Sequence, residues 1–140
     1  MEAEIKLQAQ NLTKKFDRKM IFENVNFELT RRSSVAITGR NGSGKSTLIK
    51  IIANLLSQSS GELNLFSGDK KVRKEVVYLY IGFVSPYLNL YDEFTGAENL
   101  KIASGLRGIS NDNADAVLKR VGLFERRHDL LKIYSSGMKQ

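Results

Sequence analysis

A glycine-rich stretch in the first third of the chain constrains the fold more than any other feature. Residues 39–47 read GRNGSGKST, which fits the pattern G-x-x-x-x-G-K-[ST]. Gly39, Gly42 and Gly44 permit positive φ and carry no Cβ, so successive backbone N–H groups can converge on one anion. A helix that begins directly after the loop adds the positive end of its dipole. The stretch therefore predicts a loop that binds the phosphates of a nucleotide.

The polar side chains of this loop each have a predicted role. Lys45 would reach the β- and γ-phosphates of the nucleotide, and it is the only residue to which we assign a catalytic role. The Ser46 hydroxyl would ligate Mg²⁺, and Thr47 adds a second hydroxyl near the α-phosphate. The predicted nucleotide contacts in the loop are Gly39, Asn41, Gly42, Ser43, Gly44, Lys45, Ser46 and Thr47.

The residues on either side of the loop support this interpretation. Residues 34–38 form a short, nearly continuous apolar run, which is typical of a strand that is buried on both faces. After the loop, apolar residues follow the i, i+3, i+4, i+7, i+8 spacing of a helix with one buried stripe: Leu48, Ile51, Ile52, Leu55 and Leu56. Strand, glycine loop and helix are the setting that the pattern requires. A Gly/Ser-rich turn that ends in Lys-Ser by chance is the less favoured alternative.

Composition excludes several other classes of protein. The 140 residues are 41% apolar and include no cysteine, which excludes disulfide frameworks and thiolate metal sites. No apolar run reaches the roughly 18 residues of a membrane span, and the first residues lack the apolar segment of a secretory signal. We therefore expect a cytoplasmic protein. The net charge of +7 is scattered apart from residues 70–74, so nucleic acid is not expected as a direct partner.

Hydrophobic periodicity predicts the remaining elements. Alternation indicates half-buried strands at residues 5–10, 25–29 and 62–66, and the most apolar run indicates a buried strand at residues 81–84.

Beyond Pro86 the pattern becomes helical. Thr95 and Glu98 match a capping box that opens one helix. Residues 110–113 open a second helix, which Gly122 ends.

A second motif lies at residues 134–140, which read YSSGMKQ. A serine hydroxyl and the free amides of a first helical turn can bind negative charge there. With the phosphate loop about ninety residues upstream and the order of elements between them, the chain resembles the nucleotide-binding domain of ABC transporter ATPases. The resemblance covers essentially the whole chain but only the first part of a family domain, so we expect a truncated chain.

The resemblance implies an α/β fold: a P-loop NTPase of the ABC type, with an N-terminal antiparallel β region and the start of the helical subdomain. We expect its sheet to be incomplete. Residues 1–140 would form a partial nucleotide-binding domain. Within it, residues 1–84 would be the β region and P-loop core, residues 85–94 the Q-loop region, and residues 95–140 the helical subdomain ending in the signature motif.

Further site residues follow from the resemblance. Ser135 and Gly137 would face the γ-phosphate of an ATP held by the opposite subunit. Phe16 stands where the family keeps an aromatic residue that stacks on adenine, the alternative being a residue packed on the core edge. Pro86 falls on the position of the Q-loop glutamine, and whether Ser85 substitutes for that glutamine is left open.

In the family, the Walker B strand and the switch histidine follow the signature motif. Asp92 and Glu93 precede it, so we do not identify them with Walker B, and we predict His128 to be a surface residue. We expect an ABC-type ATPase as the complete protein and an inactive chain by itself. The whole would be the ATP-binding subunit of an export-type, haem-exporter-like ABC transporter that couples hydrolysis of Mg-ATP to transport.

The implied partners are a second nucleotide-binding domain and a membrane protein. The domains would form a homodimer or heterodimer across ATP, held on the inner face of the membrane by a separate transmembrane permease subunit. Three alternatives stay open. They are a soluble ABC ATPase acting on nucleic acid or ribosomes, a non-catalytic nucleotide-binding fragment, and a small-molecule kinase that uses Asp92 and Glu93 as an acid pair.

Overall fold

The computed structural model describes residues 4–85 and 90–140. The chain divides into two compact units, Met1–Gly82 and Phe83–Gln140. Each unit has its own set of elements, and each is described by itself below.

The first unit is built on an antiparallel sheet with the strand order β2-β1-β3-β4. A two-residue turn joins the first two strands, and Asp17 in that turn adopts a left-handed φ of 50°. The strands are β1 (Ile5–Phe16), β2 (Lys19–Thr30), β3 (Ser60–Ser67) and β4 (Lys70–Lys71). The three strands predicted at residues 5–10, 25–29 and 62–66 are therefore confirmed.

β1 is longer than its alternating pattern predicts. It pairs with β2 on one side and with β3 on the other, and its register shifts near Asn11 against both neighbours. Asn11 has a φ of 49°, and its N–H donates a 2.8 Å hydrogen bond to Asn26 Oδ1. This irregularity buries Leu12, Thr13 and Lys14 in succession. A bulge breaks the period of two. The alternating pattern therefore predicted a strand that ended at residue 10, whereas β1 continues to Phe16.

The core of the first unit lies between the sheet and helix α1 (Lys45–Ile52). Ala9 and Leu12 of β1 pack there with Leu48 and Ile51 of α1. Two of the five residues in the predicted helical stripe are thus buried, and Ile51 is fully buried. The helix is shorter than predicted, because Asn54 adopts a φ of 58° just after it and ends it in the left-handed conformation. As a result, Leu55 is 62% exposed.

Two predicted strands do not form. Residues 34–38 and 81–84 have no regular structure, and a 3₁₀ helix occupies Lys74–Leu79. Val35 and Val84 are 60% and 61% exposed, whereas only Ile37 of the first segment packs on the core. A strand needs a hydrogen-bonded neighbour. Neither segment pairs with a strand in the part of the chain that the structure describes, so apolar character alone does not produce a strand here.

The second unit is helical. Its elements are α2 (Gly96–Arg107), α3 (Ala114–Arg120), α4 (Ser136–Lys139) and 3₁₀ turns at Phe124–Arg126 and Leu131–Ile133. α3 ends shortly before Gly122, which has a φ of 71°. None of the helices among the described residues is long and apolar enough to cross a membrane.

The predicted capping box at the start of α2 is confirmed. The Glu98 N–H donates to Thr95 Oγ1 at 3.2 Å, and the Thr95 N–H donates to the Glu98 carboxylate at 2.7 Å. The bond from the Thr95 amide, followed by the bond from its hydroxyl, holds the pKa of Glu98 below its usual value. The second unit therefore has a helix start fixed by its own side chains.

Gly61, at the start of β3, lies where the backbones of β3 and β1 approach each other closely. A Cβ at Gly61 would lie 2.2 Å from the backbone oxygen of Asn11, and its φ is +81°. Gly68 also has a positive φ (+60°), but its Cβ would meet nothing within 4 Å. We expect Gly68→Ala to lower the free energy of unfolding by about 1 kcal/mol, from backbone strain alone. Gly61→Ala should lower it by at least about 3 kcal/mol, because the backbone of β1 must also shift.

Urea denaturation of the two variants beside the wild type measures this difference. Equal losses in the two variants would show that Gly61 is required only for its φ.

Candidate nucleotide-binding site

The phosphate loop has the backbone that its glycines predict. Gly39, Gly42 and Gly44 have φ values of 148°, 79° and 91°, a region that L side chains rarely adopt. Between them, the Ser43 N–H donates to the Arg40 carbonyl at 3.2 Å and closes a tight turn. A side chain at any of the three glycine positions would strain the backbone of the loop.

α1 begins directly at the end of the loop, with Gly44 as its N-cap residue. Glycine has no side chain to cap the helix, and the first turn contains no acidic residue. The first amides of a helix have no acceptor within the helix. The N–H groups of Lys45, Ser46 and Thr47 can therefore donate to an anion, which the helix dipole also favours.

The Lys45 side chain curls back onto the loop. Its Nζ donates to the carbonyl oxygen of Gly39 at 2.7 Å and to that of Arg40 at 2.9 Å. An ammonium group has three donors. These two bonds fix the positive charge against the loop backbone, close in sequence to the free amides of the helix start.

The hydroxyl and amide side chains of the loop lie at the surface. Asn41, Ser43 and Ser46 are exposed, and Thr47 is half-buried. The part of the chain that the structure describes holds no cluster of three acidic or histidine side chains that could bind a metal ion. Mg²⁺ at phosphate sites takes few protein ligands and completes its shell with phosphate and water oxygens. A single hydroxyl at Ser46 beside a phosphate loop fits that mode of binding.

The loop lies against the same hairpin that carries Phe16. A Cβ at Gly44 would lie 2.7 Å from Ile21 Cγ2 and 3.3 Å from Phe22 Cδ1, both at the beginning of β2. Phe22 pairs with Lys14, two residues before Phe16 at the end of β1. Strand residues advance about 3.4 Å each, so Phe16 lies at the end of the hairpin that the loop contacts. Phe16 is 45% exposed rather than packed in the core.

The second predicted motif lies in the second unit. Ser135 is the N-cap of α4, and its hydroxyl accepts a hydrogen bond from the Met138 N–H at 3.3 Å. Ser135, Ser136 and Gly137 are exposed. The predicted helix start is confirmed, whereas the nucleotide contacts of Ser135 and Gly137 stay predictions.

Tyr134 anchors this helix start, a role that sequence reasoning did not identify although the residue begins the motif. The side chain is 7% exposed, and its hydroxyl donates to the Arg126 carbonyl at 2.5 Å. A Cβ at Gly96 would lie 2.7 Å from the same hydroxyl, so the first residue of α2 must be glycine while Tyr134 is present. Burial, followed by the nearby Asp129 carboxylate, raises the pKa of Tyr134.

The other candidates have structural positions of their own. Asp92 Oδ1 accepts a hydrogen bond from Lys139 Nζ at 2.6 Å, an ion pair that ties α4 to the segment before α2. Glu93 is exposed, and His128 is exposed as predicted. Ser85 is half-buried, and Pro86 lies outside the described residues.

Comparison with known proteins defines the class to which this loop and fold belong. A family model described as "ABC transporter" matches residues 22–140. The chain belongs to the ABC transporter family.

Two curated relatives show the extent of the similarity. The uncharacterized ABC transporter ATP-binding protein YdbJ of Bacillus subtilis (strain 168) is 35% identical over 139 residues, covering 99% of this chain and 45% of that protein. The bacitracin transport ATP-binding protein BcrA of Enterococcus faecalis is 30% identical over 141 residues, covering 100% of this chain and 46% of that protein. The chain thus spans about half the length of the curated relatives it matches.

A solved structure of an ATP-binding subunit of an ABC transporter has the same fold. It superimposes with a TM-score of 0.77 and 27% identity over 95% of this chain and 57% of that chain. The predicted α/β fold of the ABC type is therefore confirmed, with the antiparallel region in the first unit.

The buried phenol of Tyr134 predicts an alkaline loss of stability. Its pKa is raised in the folded chain, so the folded state binds the proton more tightly than the unfolded state. The resulting stabilisation is complete below the unfolded pKa of about 10 and is lost as pH rises through the higher folded value. Tyr134→Phe should lower stability at neutral pH by about 1 kcal/mol, because the bond to Arg126 is lost.

Above pH 9 the Tyr134→Phe variant should lose stability less steeply than the wild type. Urea denaturation between pH 7 and 11 measures both effects. Tyr91→Phe removes a phenol from a residue that is 55% exposed, and it serves as the matched control. An unchanged alkaline slope in Tyr134→Phe would contradict the prediction.

Proposed function

We propose that this chain is the ATP-binding portion of the ATPase subunit of an ABC transporter and that it binds Mg-ATP at residues 39–47. The observation that carries this proposal is the uncapped start of α1 at Gly44, with Lys45 bound to the loop backbone beside it. Free amides, a helix dipole and an ammonium group converge there. That combination provides several donors and positive charge for an anion with many oxygens, such as the phosphate chain of a nucleotide.

The remaining contacts follow from the same arrangement. Lys45 exchanges a bond to a loop carbonyl for one to the β- or γ-phosphate, and Thr47 adds a hydroxyl near the α-phosphate. Ser46 holds Mg²⁺, which, when bound, neutralises charge on the phosphate oxygens. Phe16 offers an exposed aromatic face, on the hairpin next to the loop, on which adenine stacks.

A second nucleotide-binding domain would complete the ATP-binding site. We propose that Ser135 and Gly137 of an identical or related chain contact the γ-phosphate from the opposite side. Their exposure and the open space around Gly137 support this, since a Cβ there would meet nothing within 4 Å. Such a dimer forms only around bound nucleotide, because the phosphate bridges its two halves.

Transport would require a separate membrane subunit. The relatives support a transport role: BcrA by its name serves bacitracin transport, and SrtF of Streptococcus pyogenes, 33% identical over 134 residues, serves lantibiotic transport. We propose that the whole protein lies on the inner face of the membrane, bound to such a permease. We propose that the whole protein couples hydrolysis of Mg-ATP to transport.

Replacing the loop lysine tests the proposal. Lys45→Ala should weaken the binding of Mg-ATP by at least about tenfold, because charge-assisted hydrogen bonds to the phosphates are lost. Lys50 carries the same charge at the other end of the same helix and is exposed. Lys50→Ala should change the affinity by less than about twofold, because the charge is remote and screened by solvent.

Calorimetric titration of Mg-ATP into the wild type and the two variants measures the affinities, and a urea denaturation of each confirms that it is folded. A folded Lys45→Ala variant that binds Mg-ATP as tightly as the wild type would overturn the assignment of the loop.

A further inference from the structure

Lys14 is a buried lysine with two partners. Only 9% of the residue is exposed, although lysine is almost never buried without compensation. Its Nζ donates to the carbonyl oxygen of Ser57 at 2.7 Å. The same Nζ lies 4.6 Å from the centroid of the Phe16 ring, within the distance of a cation–π contact. The ammonium group is therefore fixed between a carbonyl and an aromatic face.

Lys14 and Phe16 lie two residues apart at the end of β1. The register of β1 against β2 shifts between Lys14 and Lys15, and the ammonium of Lys14 still lies over the Phe16 ring. Phe16 is the last residue of the strand and is 45% exposed, so the core does not restrain its ring. The ammonium of Lys14 covers one face of that ring. It thereby favours a single ring orientation and leaves exposed surface for another planar group.

The segment that holds Lys14 in place comes from the phosphate-binding helix. Ser57 follows α1, whose first turn ends the phosphate loop. Two further bonds flank the contact: the Ser59 N–H donates to the Thr13 carbonyl at 2.9 Å, and the Lys15 N–H donates to Ser59 Oγ at 3.1 Å. The end of β1 is thus tied to the chain that leaves α1. Lys14 connects the Phe16 ring to the segment after α1 through its hydrogen bond to Ser57.

We infer that Lys14 is a positioning residue for the adenine base: its ammonium, held by Ser57, fixes the Phe16 ring in the orientation that stacks on ATP. This inference rests on the proposed function and adds to it a residue that does not touch the nucleotide. The phosphate loop then fixes one end of ATP, and the Lys14–Phe16 pair fixes the other. Lys14 acts on the base and leaves the phosphates unaffected.

The inference predicts that replacing Lys14 lowers the affinity only for ligands that carry the adenine base. Lys14→Met should weaken the binding of Mg-ATP by between about twofold and about thirtyfold, the range of a cation–π contact from exposed to desolvated. It should leave the affinity for magnesium and inorganic triphosphate unchanged, since that ligand has no base. Lys14→Arg should restore ATP binding, because a guanidinium group can keep both the hydrogen bond and the contact with the ring.

Two controls separate positioning from folding. Lys15 is the exposed neighbour of Lys14, and Lys15→Met removes the same charge without touching Phe16, so it should bind both ligands as the wild type does. Lys14→Gln keeps a donor for Ser57 but removes the positive charge. If Lys14→Met lowers the urea midpoint, the Lys14→Gln variant distinguishes a positioning role from a folding role. Lys14→Gln should weaken the binding of ATP and leave the binding of triphosphate unchanged.

A double-mutant cycle tests whether Lys14 affects ATP affinity through the Phe16 ring. In a Phe16→Leu background, Lys14→Met should cause no further loss of ATP affinity, because the ring on which it acts is absent. The chain contains no tryptophan, so Phe16→Trp provides a single tryptophan at the stacking position, and its emission can be excited apart from that of the five tyrosines. Its emission should change with Mg-ATP but not with inorganic triphosphate, and Lys14→Met should reduce that change.

Each outcome decides between the two proposals. The inference would be overturned if Lys14→Met weakened the binding of ATP and of triphosphate equally. It would also be overturned if Lys14→Met lowered ATP affinity as much in the Phe16→Leu background as in the wild type. Either result would show a structural role for Lys14. ATP binding that depends on Lys45 but not on Lys14 would also overturn the inference alone. A wild type without Lys45-dependent ATP binding would overturn the proposed function and the inference with it.

Discussion

The packing of α1 against β1 is the interaction on which the first unit depends. Leu12 and Ile51 are the most completely buried large side chains, at 0% and 1% exposure, and they belong to the same core cluster. This contact fixes the direction of α1 and therefore the position of its first turn. Because the phosphate loop ends at that turn, apolar burial at one end of the helix determines where its free amides point at the other.

The sequence predicted those elements whose cause is local. The loop, the start of α1, the capping box at Thr95 and the helix start at Ser135 all follow from a few adjacent residues. The strands at residues 34–38 and 81–84 did not form, since a strand depends on a partner that its own residues do not encode. β1 ran longer than predicted for a related reason: its bulge at Asn11 is stabilised by pairing on both sides, and no alternating pattern records that.

In each unit, the residues that support a motif were harder to predict than the motif itself. Lys45 and Ser46 belong to a motif with fixed spacing, whereas Lys14 and Tyr134 are held by backbone carbonyls that no motif specifies. Lys14 depends on Ser57, 43 positions away, and Tyr134 depends on the carbonyl of Arg126. One signal was present for Lys14, namely its spacing of two from an aromatic residue. Its burial could only be learned from the fold.

The close approach of Gly96 and Tyr134 links two positions that are 38 residues apart. A methyl group at position 96 would collide with the phenol oxygen at 2.7 Å, but it would lie 3.4 Å from the ring carbon that bears that oxygen. Alanine at position 96 is therefore compatible with phenylalanine, but not with tyrosine, at position 134. In related chains we expect these two positions to change together. Such paired replacement would preserve the anchoring of the second helix start while exchanging a hydrogen bond for a methyl contact.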